Sequence, residues 1–182
     1  MTFYEIDPAV VRIATNPDLF TYVRDSKARI AFVVGDGRLA LAAAPEKAYG
    51  LIVVDAFSSD AIPVHLITRE AIRLYLGKLR PGGLLALHIT NEYLDLAPVL
   101  DAIAADLGIR GLVIEGEVAS RREKLERKAP SLWAVLSPNA AALEPLAAGG
   151  NRRSLPSAPG PPRDSRFLWT DGFSNVFGVL RR

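Results

Sequence analysis

The chain is 182 residues long, with 49% apolar and 23% charged residues, which is the size and composition of one globular domain. It contains no cysteine, which excludes a disulfide framework, a thiolate metal site and a cysteine nucleophile. The net charge is only +2, and no basic stripe is interleaved with aromatic residues, so we expect no nucleic-acid partner.

The start of the chain lacks the basic-then-apolar pattern of a signal peptide. No apolar stretch reaches the ~20 residues that a membrane-spanning helix requires. We therefore expect a cytoplasmic protein with one domain spanning residues 1–182.

The first part of the sequence alternates between strand and helix patterns. Asp7 is a good N-cap and Pro8 suits the first helical position, while Pro45 closes a later helix. The predicted elements are strands over 2–6 and 28–34, the second of them buried, and helices over 7–17 and 38–45.

The alternation continues along the rest of the chain. Thr68 is a plausible cap for an amphipathic helix, and Gly108 ends the next helix. The predicted elements are strands over 49–57, 84–89, 111–118 and 131–137, helices over 68–80 and 96–108, and a turn over 81–83. The last two strands lack a clear intervening helix, since 121–130 is a charged loop or helical turn. We therefore expect them to form an antiparallel pair at one edge.

Residues 137–168 are rich in proline and glycine and are predicted to be irregular. The chain then closes with aromatic residues that should dock on the core. Four aromatic side chains are predicted to be buried: Trp133, Trp169, Phe173 and Phe177.

Strands that alternate with helices predict an α/β fold with a mostly parallel sheet covered on both faces. In such sheets, ligands bind at the carboxyl ends of the strands. Four polar residues fall at or just after predicted strand ends and are the candidates for a site: Glu5, Asp36, Asp55 and His88.

Glu5 and Asp36 are candidates for binding a nucleoside. A carboxylate at the position of Glu5 can accept hydrogen bonds from both hydroxyls of a ribose, or it is simply a solvated acid. Asp36 lies between Gly35 and Gly37, which permit a tight turn and the close approach of a flat ligand. Its carboxylate could accept from an exocyclic amine such as that of adenine, or the segment is an ordinary turn.

Asp55, Asp60 and His88 are candidates for handling an amine. Asp55 ends the most apolar strand, where an ionised carboxylate is costly unless it is paired or functional. Asp60 could hold a second ammonium group or cap a helix. His88 could line the pocket or be structural, and no second histidine stands at metal-ligand spacing.

Five segments together carry a resemblance to a known family. They read YEIDPAVVRIA, VVGDGR, YGLIVVDAFSSDAIPVHLITREAIRLY, LRPGGLLALHITNEYLDLAPVL and WTDGFSN. This set resembles the spermidine synthase family of polyamine aminopropyltransferases, and in particular a bacterial branch in which the domain is often fused to a membrane transporter-like part. The resemblance covers residues 3–136 and 168–177.

The resemblance implies the class I methyltransferase-like Rossmann fold and a transferase activity. The family moves an aminopropyl group from decarboxylated S-adenosylmethionine, a co-substrate and not a tightly bound cofactor, to a small-molecule amine such as putrescine. By the resemblance, Glu5 would bind the ribose hydroxyls and Asp36 the adenine amine. Asp55 would be the base or orienter of the attacking amine, and Asp60 would hold the cationic end of the acceptor.

Two features depart from the family. The acids are spaced DAFSSD, which is longer than the usual D-x-x-D. The sequence also begins at what resembles the second sheet strand, so by the resemblance we expect the first strand and its Gly-rich loop to be missing. We therefore expect an N-terminally truncated fold that has little activity and forms a homo-oligomer such as a dimer, because unpaired strand edges associate.

Three hypotheses remain open at this point. The first is an aminopropyltransferase or its inactive remnant. The second is an S-adenosylmethionine-dependent methyltransferase acting on a small molecule, although DAFSSDAIP replaces the Asn/Asp-Pro-Pro-aromatic motif common in amino-methylating enzymes. The third is a non-catalytic module that binds a nucleoside or assembles with other chains.

Overall fold

A computed structural model describes residues 1–56, 63–116, 131–148, 151–156, 160–162 and 164–181. The chain divides into two compact units, Met1–Pro45 and Glu46–Arg182. Asp60 and the charged stretch 121–130 lie outside the described residues.

The N-terminal unit contains a two-stranded parallel sheet and short helices. Its elements are β1 (Thr2–Glu5), α1 (Pro8–Thr15), α2 (Tyr22–Asp25), β2 (Ala31–Val34) and α3 (Gly37–Ala42). The two strands are paired in register from Thr2 with Ala31 to Glu5 with Val34. Asp7 caps α1 as predicted, because its carboxylate accepts a 2.7 Å hydrogen bond from the Ala9 amide.

The prediction that residues 28–34 form a buried strand is correct for the strand and wrong for its burial. Residues 1–45 are all described, and only Leu41 among them is buried. Val33 and Val34 are exposed because, among the described residues, β2 pairs only with β1 in a sheet of two strands. Such a ribbon is too narrow to form a core of its own.

The C-terminal unit contains a five-stranded mixed sheet. Its elements are β3 (Tyr49–Val54), α4 (Arg69–Lys78), β4 (Leu79–His88), α5 (Ala97–Leu107), β5 (Arg110–Glu115), β6 (Leu132–Ser137), α6 (Glu144–Ala147) and β7 (Arg152–Leu155). The strand order is β3-β4-β6-β5-β7. β3 and β4 are parallel, whereas β6 is antiparallel to both of its neighbours and β7 is antiparallel to β5. Three strands, β3, β4 and β5, therefore run in one direction.

The antiparallel pairing of the two late strands, β5 and β6, is confirmed, but the pair does not form the edge of the sheet. β7 adds to β5 as the outermost strand, within the stretch 137–168 that was predicted to be irregular. Its sequence RRSL lacks the alternation of a typical strand. We attribute its formation to the free hydrogen-bonding edge of β5, a non-local feature.

The turn predicted over 81–83 forms a bulge within β4. Tyr49 pairs with Leu79, but Leu51 pairs with Leu84, so the residues between them protrude from the ladder. Gly82 has φ of 75°, a left-handed conformation that favours glycine. β4 then continues in register with β3 to the carboxyl end of the sheet.

The core of the C-terminal unit lies between the helices and the central strands. Its fully buried side chains include Ile72, Leu85, Leu100, Ile103, Leu136 and Trp169. The prediction of buried aromatics is therefore correct for Trp169 and wrong for Phe173 and Phe177, which are 49% and 87% exposed. Trp133 is half-buried.

The segment around Trp169 and Asp171 is attached to the start of α4. Thr68 caps α4 by accepting a 3.2 Å bond from the Ala71 amide, and its hydroxyl donates to Asp171 at 2.7 Å. The Asp171 amide donates to the Glu70 carboxylate at 3.0 Å. These bonds join two segments that are about 100 residues apart in the chain.

Gly111 offers a test of the packing between β5 and β6. A Cβ atom at this position would collide with the Leu136 side chain and lie 2.7 Å from the Val135 carbonyl oxygen. We expect Gly111→Ala to lower the free energy of unfolding by about 1–3 kcal/mol, because a backbone atom in a paired strand cannot move aside. Chemical unfolding measures the change.

The matched control for this substitution is Gly172→Ala, since nothing lies within 4 Å of the added Cβ. An equal loss of stability in both variants would contradict the packing argument.

Glu70 predicts a pH dependence of stability. Burial raises its pKa, but hydrogen bonds from Arg69 and from backbone amides, including that of Asp171, outweigh burial and lower the pKa overall. A carboxyl with a lowered pKa in the folded state stabilises the protein above its unfolded pKa. That contribution is lost as pH falls through the folded value.

We therefore expect the free energy of unfolding to fall between about pH 5 and pH 3, where a glutamate titrates, and Glu70→Gln to reduce this slope. Urea unfolding at several pH values in this range measures the slope. The control is Glu144→Gln, which changes an exposed glutamate on α6. Identical slopes in wild type and Glu70→Gln would refute the assignment.

Candidate functional site

Asp55 and His88 meet at the carboxyl end of the five-stranded sheet. Val54 pairs with Leu87 in the last pair of the parallel β3–β4 ladder, and Asp55 and His88 are the residues that directly follow this pair. Residues at the same level of neighbouring strands project to the same face of a sheet. The Nδ1 atom of His88 lies 2.8 Å from a carboxylate oxygen of Asp55. The sequence placed both residues at strand ends, and the structure brings them into direct contact.

Two further residues hold the His88 ring. Its Nε2 atom lies 2.8 Å from the hydroxyl oxygen of Thr90. The same oxygen accepts a 2.7 Å hydrogen bond from the Leu132 amide. Trp133, the cross-strand partner of His88 on β6, stacks on the imidazole with centroids 4.7 Å apart and an angle of 17° between the planes. The ring is thus fixed at both nitrogens and on one face.

Asp55 remains open to a ligand despite this contact. Its side chain is 52% exposed, whereas that of His88 is 22% exposed. The expectation of a carboxylate at the end of a buried strand needs correction, because β3 is the edge strand of its sheet and only Ile52 in it is buried. An accessible, hydrogen-bonded carboxylate can accept from an ammonium group or take up a proton.

The N-terminal unit carries the other predicted residues at the carboxyl ends of β1 and β2. Glu5 is the last residue of β1, and its carboxylate accepts a 2.9 Å bond from the Asp7 amide. One oxygen of Asp36 caps α3 by accepting from the Leu39 amide at 2.8 Å. Gly35, with φ of 145°, and Gly37 flank this cap.

These contacts give both acids a local structural role. The roles predicted for Glu5, Gly35, Asp36 and Gly37 in binding a nucleoside remain predictions, as does the role of Asp60.

Sequence reasoning did not single out Thr90, and it interpreted Trp133 only as a core residue. Thr90 lies two positions after His88, and side chains alternate between the two faces of an extended segment. This alternation would have predicted that both side chains lie on the same side. The stacking of Trp133 on His88 depends on the β4–β6 register, which no local pattern in the sequence encodes.

A cavity of about 660 Å³ lies in the C-terminal unit, and neither Asp55 nor His88 lines it. Its charged lining residues are Asp95, Glu115, Arg152, Arg153 and Arg181. Acids and arginines lie side by side there, so their charges largely offset one another and no single class of ligand is favoured.

The comparisons with known proteins bear on the fold. No family model and no curated protein matches the chain. A probable spermidine synthase from Corynebacterium glutamicum has a similar structure, with a TM-score of 0.54, 15% identity, and coverage of 90% of this chain and 63% of that protein. A spermidine synthase in complex with the transition state analogue AdoDATO gives a TM-score of 0.51, 13% identity, and coverage of 79% and 46%.

A methyltransferase has a comparable similarity. Human methyltransferase-like protein 13 in complex with SAH gives a TM-score of 0.50, 17% identity, and coverage of 82% of this chain and 72% of that protein. Identities this low show a shared fold and nothing finer. The chain therefore has the α/β, Rossmann-like fold of spermidine synthases and methyltransferases, and it spans 63% and 46% of the two synthases above.

The described residues show neither a metal-binding group nor a membrane-spanning helix. They contain no group of three or more His, Asp or Glu side chains arranged to hold a metal ion. Within the same ranges, no helix has both the length and the apolar character needed to cross a membrane.

The cap at Asp36 predicts a difference between two substitutions. Asp36→Ala removes the acceptor for the Leu39 amide and should cost about 0.5–2 kcal/mol of stability. Asp36→Asn retains a capping oxygen and should cost only a few tenths of a kcal/mol. Thermal unfolding of both variants checks the order. Equal losses would contradict the capping role.

Proposed function

We propose that the chain is a transferase domain of the spermidine synthase kind, acting on an S-adenosyl donor and a small amine. The donor is decarboxylated S-adenosylmethionine. The acceptor nitrogen attacks the aminopropyl carbon bonded to the sulfonium, and the carbon–sulfur bond breaks. Its electron pair stays on sulfur, which gives methylthioadenosine, and the acceptor nitrogen loses a proton.

The observation that carries the proposal is the exposed carboxylate of Asp55 at the carboxyl end of β3, hydrogen-bonded to His88. In open α/β sheets this end is where ligands bind. An amine acceptor is protonated in solution and must lose a proton before it attacks. A fixed carboxylate can bind the ammonium form, orient the nitrogen and accept the proton.

Electrostatics favour acidic side chains of the protein as the binding groups for both substrates. The sulfonium donor and the ammonium acceptor are both positive, so they repel each other in water and are attracted to carboxylates. Asp55 suits the acceptor nitrogen, and Asp60, five residues later in the chain, suits a second ammonium group of a diamine.

The nucleoside half of the donor is proposed to bind the N-terminal unit. Glu5 would accept from the ribose hydroxyls, and the carboxylate of Asp36 would accept from the adenine amine. Gly35 and Gly37 allow a flat base to approach the backbone beside Asp36. The ligands AdoDATO and SAH in the two similar structures support this half of the proposal, since both are S-adenosyl compounds.

A second candidate function is methyl transfer from S-adenosylmethionine to a small molecule. The observation that favours it is the similarity to human methyltransferase-like protein 13, of which the chain covers 72%. The two reactions leave different products. Aminopropyl transfer releases methylthioadenosine, and methyl transfer releases S-adenosylhomocysteine.

The first test is calorimetric titration of the chain with methylthioadenosine. We expect weak binding that Asp36→Asn abolishes, because the substitution removes the negative charge that would accept from the adenine amine while the helix cap is kept. Asp55→Asn should largely retain binding. A folded chain that does not bind methylthioadenosine would refute the nucleoside half-site and favour a non-catalytic module.

The second test incubates the chain with each donor and a diamine and identifies the released nucleoside by mass spectrometry. Methylthioadenosine is the expected product, formed about 100-fold more slowly by Asp55→Asn, which cannot accept the proton. Glu144→Gln, an exposed acid on α6 of the same unit, is the control. Release of S-adenosylhomocysteine alone would favour methyl transfer.

A further inference from the structure

The hydrogen bonds around His88 define which of its nitrogens carries the proton. The Asp55 carboxylate has no hydrogen to give when ionised, so the Nδ1 atom of His88 must be the donor in the 2.8 Å contact. A neutral imidazole with a proton on Nδ1 has a lone pair on Nε2. Nε2 is then an acceptor.

Thr90 completes this arrangement. Its hydroxyl oxygen already accepts from the Leu132 amide at 2.7 Å, and its one hydrogen remains to be donated. The Nε2 atom of His88 lies 2.8 Å away and is an acceptor in the tautomer described above. Every bond in the series then has one donor and one acceptor, running from the Leu132 amide to Thr90, from Thr90 to His88, and from His88 to Asp55.

Trp133 fixes the plane of the ring. The imidazole cannot slide or rotate without losing its stacking contact with the indole, in which the ring centroids are 4.7 Å apart. Because β6 is hydrogen-bonded to β4 and also supplies the Leu132 amide, the ring and its hydroxyl partner are attached to the same paired strands.

We infer that His88 is a positioning residue for Asp55, in the Nδ1-protonated tautomer that the Asp55 carboxylate requires, with its ring held in place by Thr90 and Trp133. It occupies one carboxylate oxygen of Asp55 and leaves the other for a ligand cation. This differs from the sequence prediction that His88 binds the substrate. The inference rests on the proposed function for the role of Asp55, but the tautomer is a property of the chain without any substrate.

Nitrogen NMR of the full chain labelled with ¹⁵N-histidine tests the inference directly. The chain has only two histidines, and the exposed His65 is assigned by His65→Gln. At about pH 8, where an ordinary imidazole is neutral, we expect a protonated Nδ1 and an unprotonated Nε2 at His88. A proton on Nε2, or the mixture of tautomers seen in free histidine, would overturn the inference.

Thr90 variants separate positioning from simple packing. Thr90→Val keeps the shape but removes the hydroxyl, and should shift the Nε2 signal of His88 because the hydrogen bond at that atom is lost, while the proton stays on Nδ1 opposite Asp55. Thr90→Ser restores the hydroxyl and should restore the original Nε2 signal. An Nε2 signal of His88 that is unchanged in Thr90→Val would show that Thr90 does not donate to this atom and would refute the series of bonds.

Titration with putrescine tests whether the carboxylate oxygen of Asp55 that does not contact His88 binds a cation. A diamine bound there should shift the His88 nitrogen signals, and the shift should be lost in Asp55→Asn and kept in Glu144→Gln. In the transfer assay, His88→Gln should lower kcat by up to about 100-fold and leave the KM for the donor unchanged, since misplacement of a reacting group slows the chemical step. An unchanged kcat would contradict the positioning role.

The two proposals can fail separately. The expected tautomer in a chain that consumes neither donor would leave the positioning of Asp55 intact and refute the transfer reaction. Aminopropyl transfer by a chain in which His88 carries its proton on Nε2 would support the proposed function and overturn the inference about His88.

Discussion

The register of the β3–β4–β6 ladders is the constraint on which the candidate site depends. It places Asp55, His88 and Trp133 on adjacent strands at the same level and on the same face of the sheet. A shift of one residue in either ladder would turn one of these side chains to the opposite face. The bulge in β4 after Leu79 matters for this reason, because pairing resumes beyond it in the register that sets Leu87 beside Val54.

The mixed directions of the strands also have a consequence for the site. If β4 were flanked by parallel strands on both sides, its last residue would be opposite another strand end. Here β6 runs the other way, so the carboxyl end of β4 lies beside the start of β6. That geometry supplies a stacking ring from Trp133 and a backbone donor from Leu132 next to one histidine. An antiparallel neighbour thus adds support that a strand-end loop alone would not provide.

The two units differ in how their elements are stabilised. In the C-terminal unit, helices α4 and α5 and the central strands bury a continuous set of apolar side chains, and the segment near Asp171 is bonded to the start of α4. In the N-terminal unit the order comes from local bonds, such as the caps at Asp7 and Asp36, and from two paired strands. The predicted nucleoside-binding residues lie in the unit with little core. Ligand binding there would add stability to that unit by mass action.

The sequence by itself determined the local features. The caps at Asp7 and Thr68, the left-handed end of α5 at Gly108, and the positions of Glu5, Asp36, Asp55 and His88 at strand ends all follow from short-range hydrogen bonding and apolar patterns. Only the tertiary structure decided the contact of His88 with Asp55, the stacking on Trp133, the added strand β7 and the exposure of β2 and β3. The physical reason is that strand order, direction and register join residues distant in the chain, and the backbone groups that make those bonds are the same in every residue.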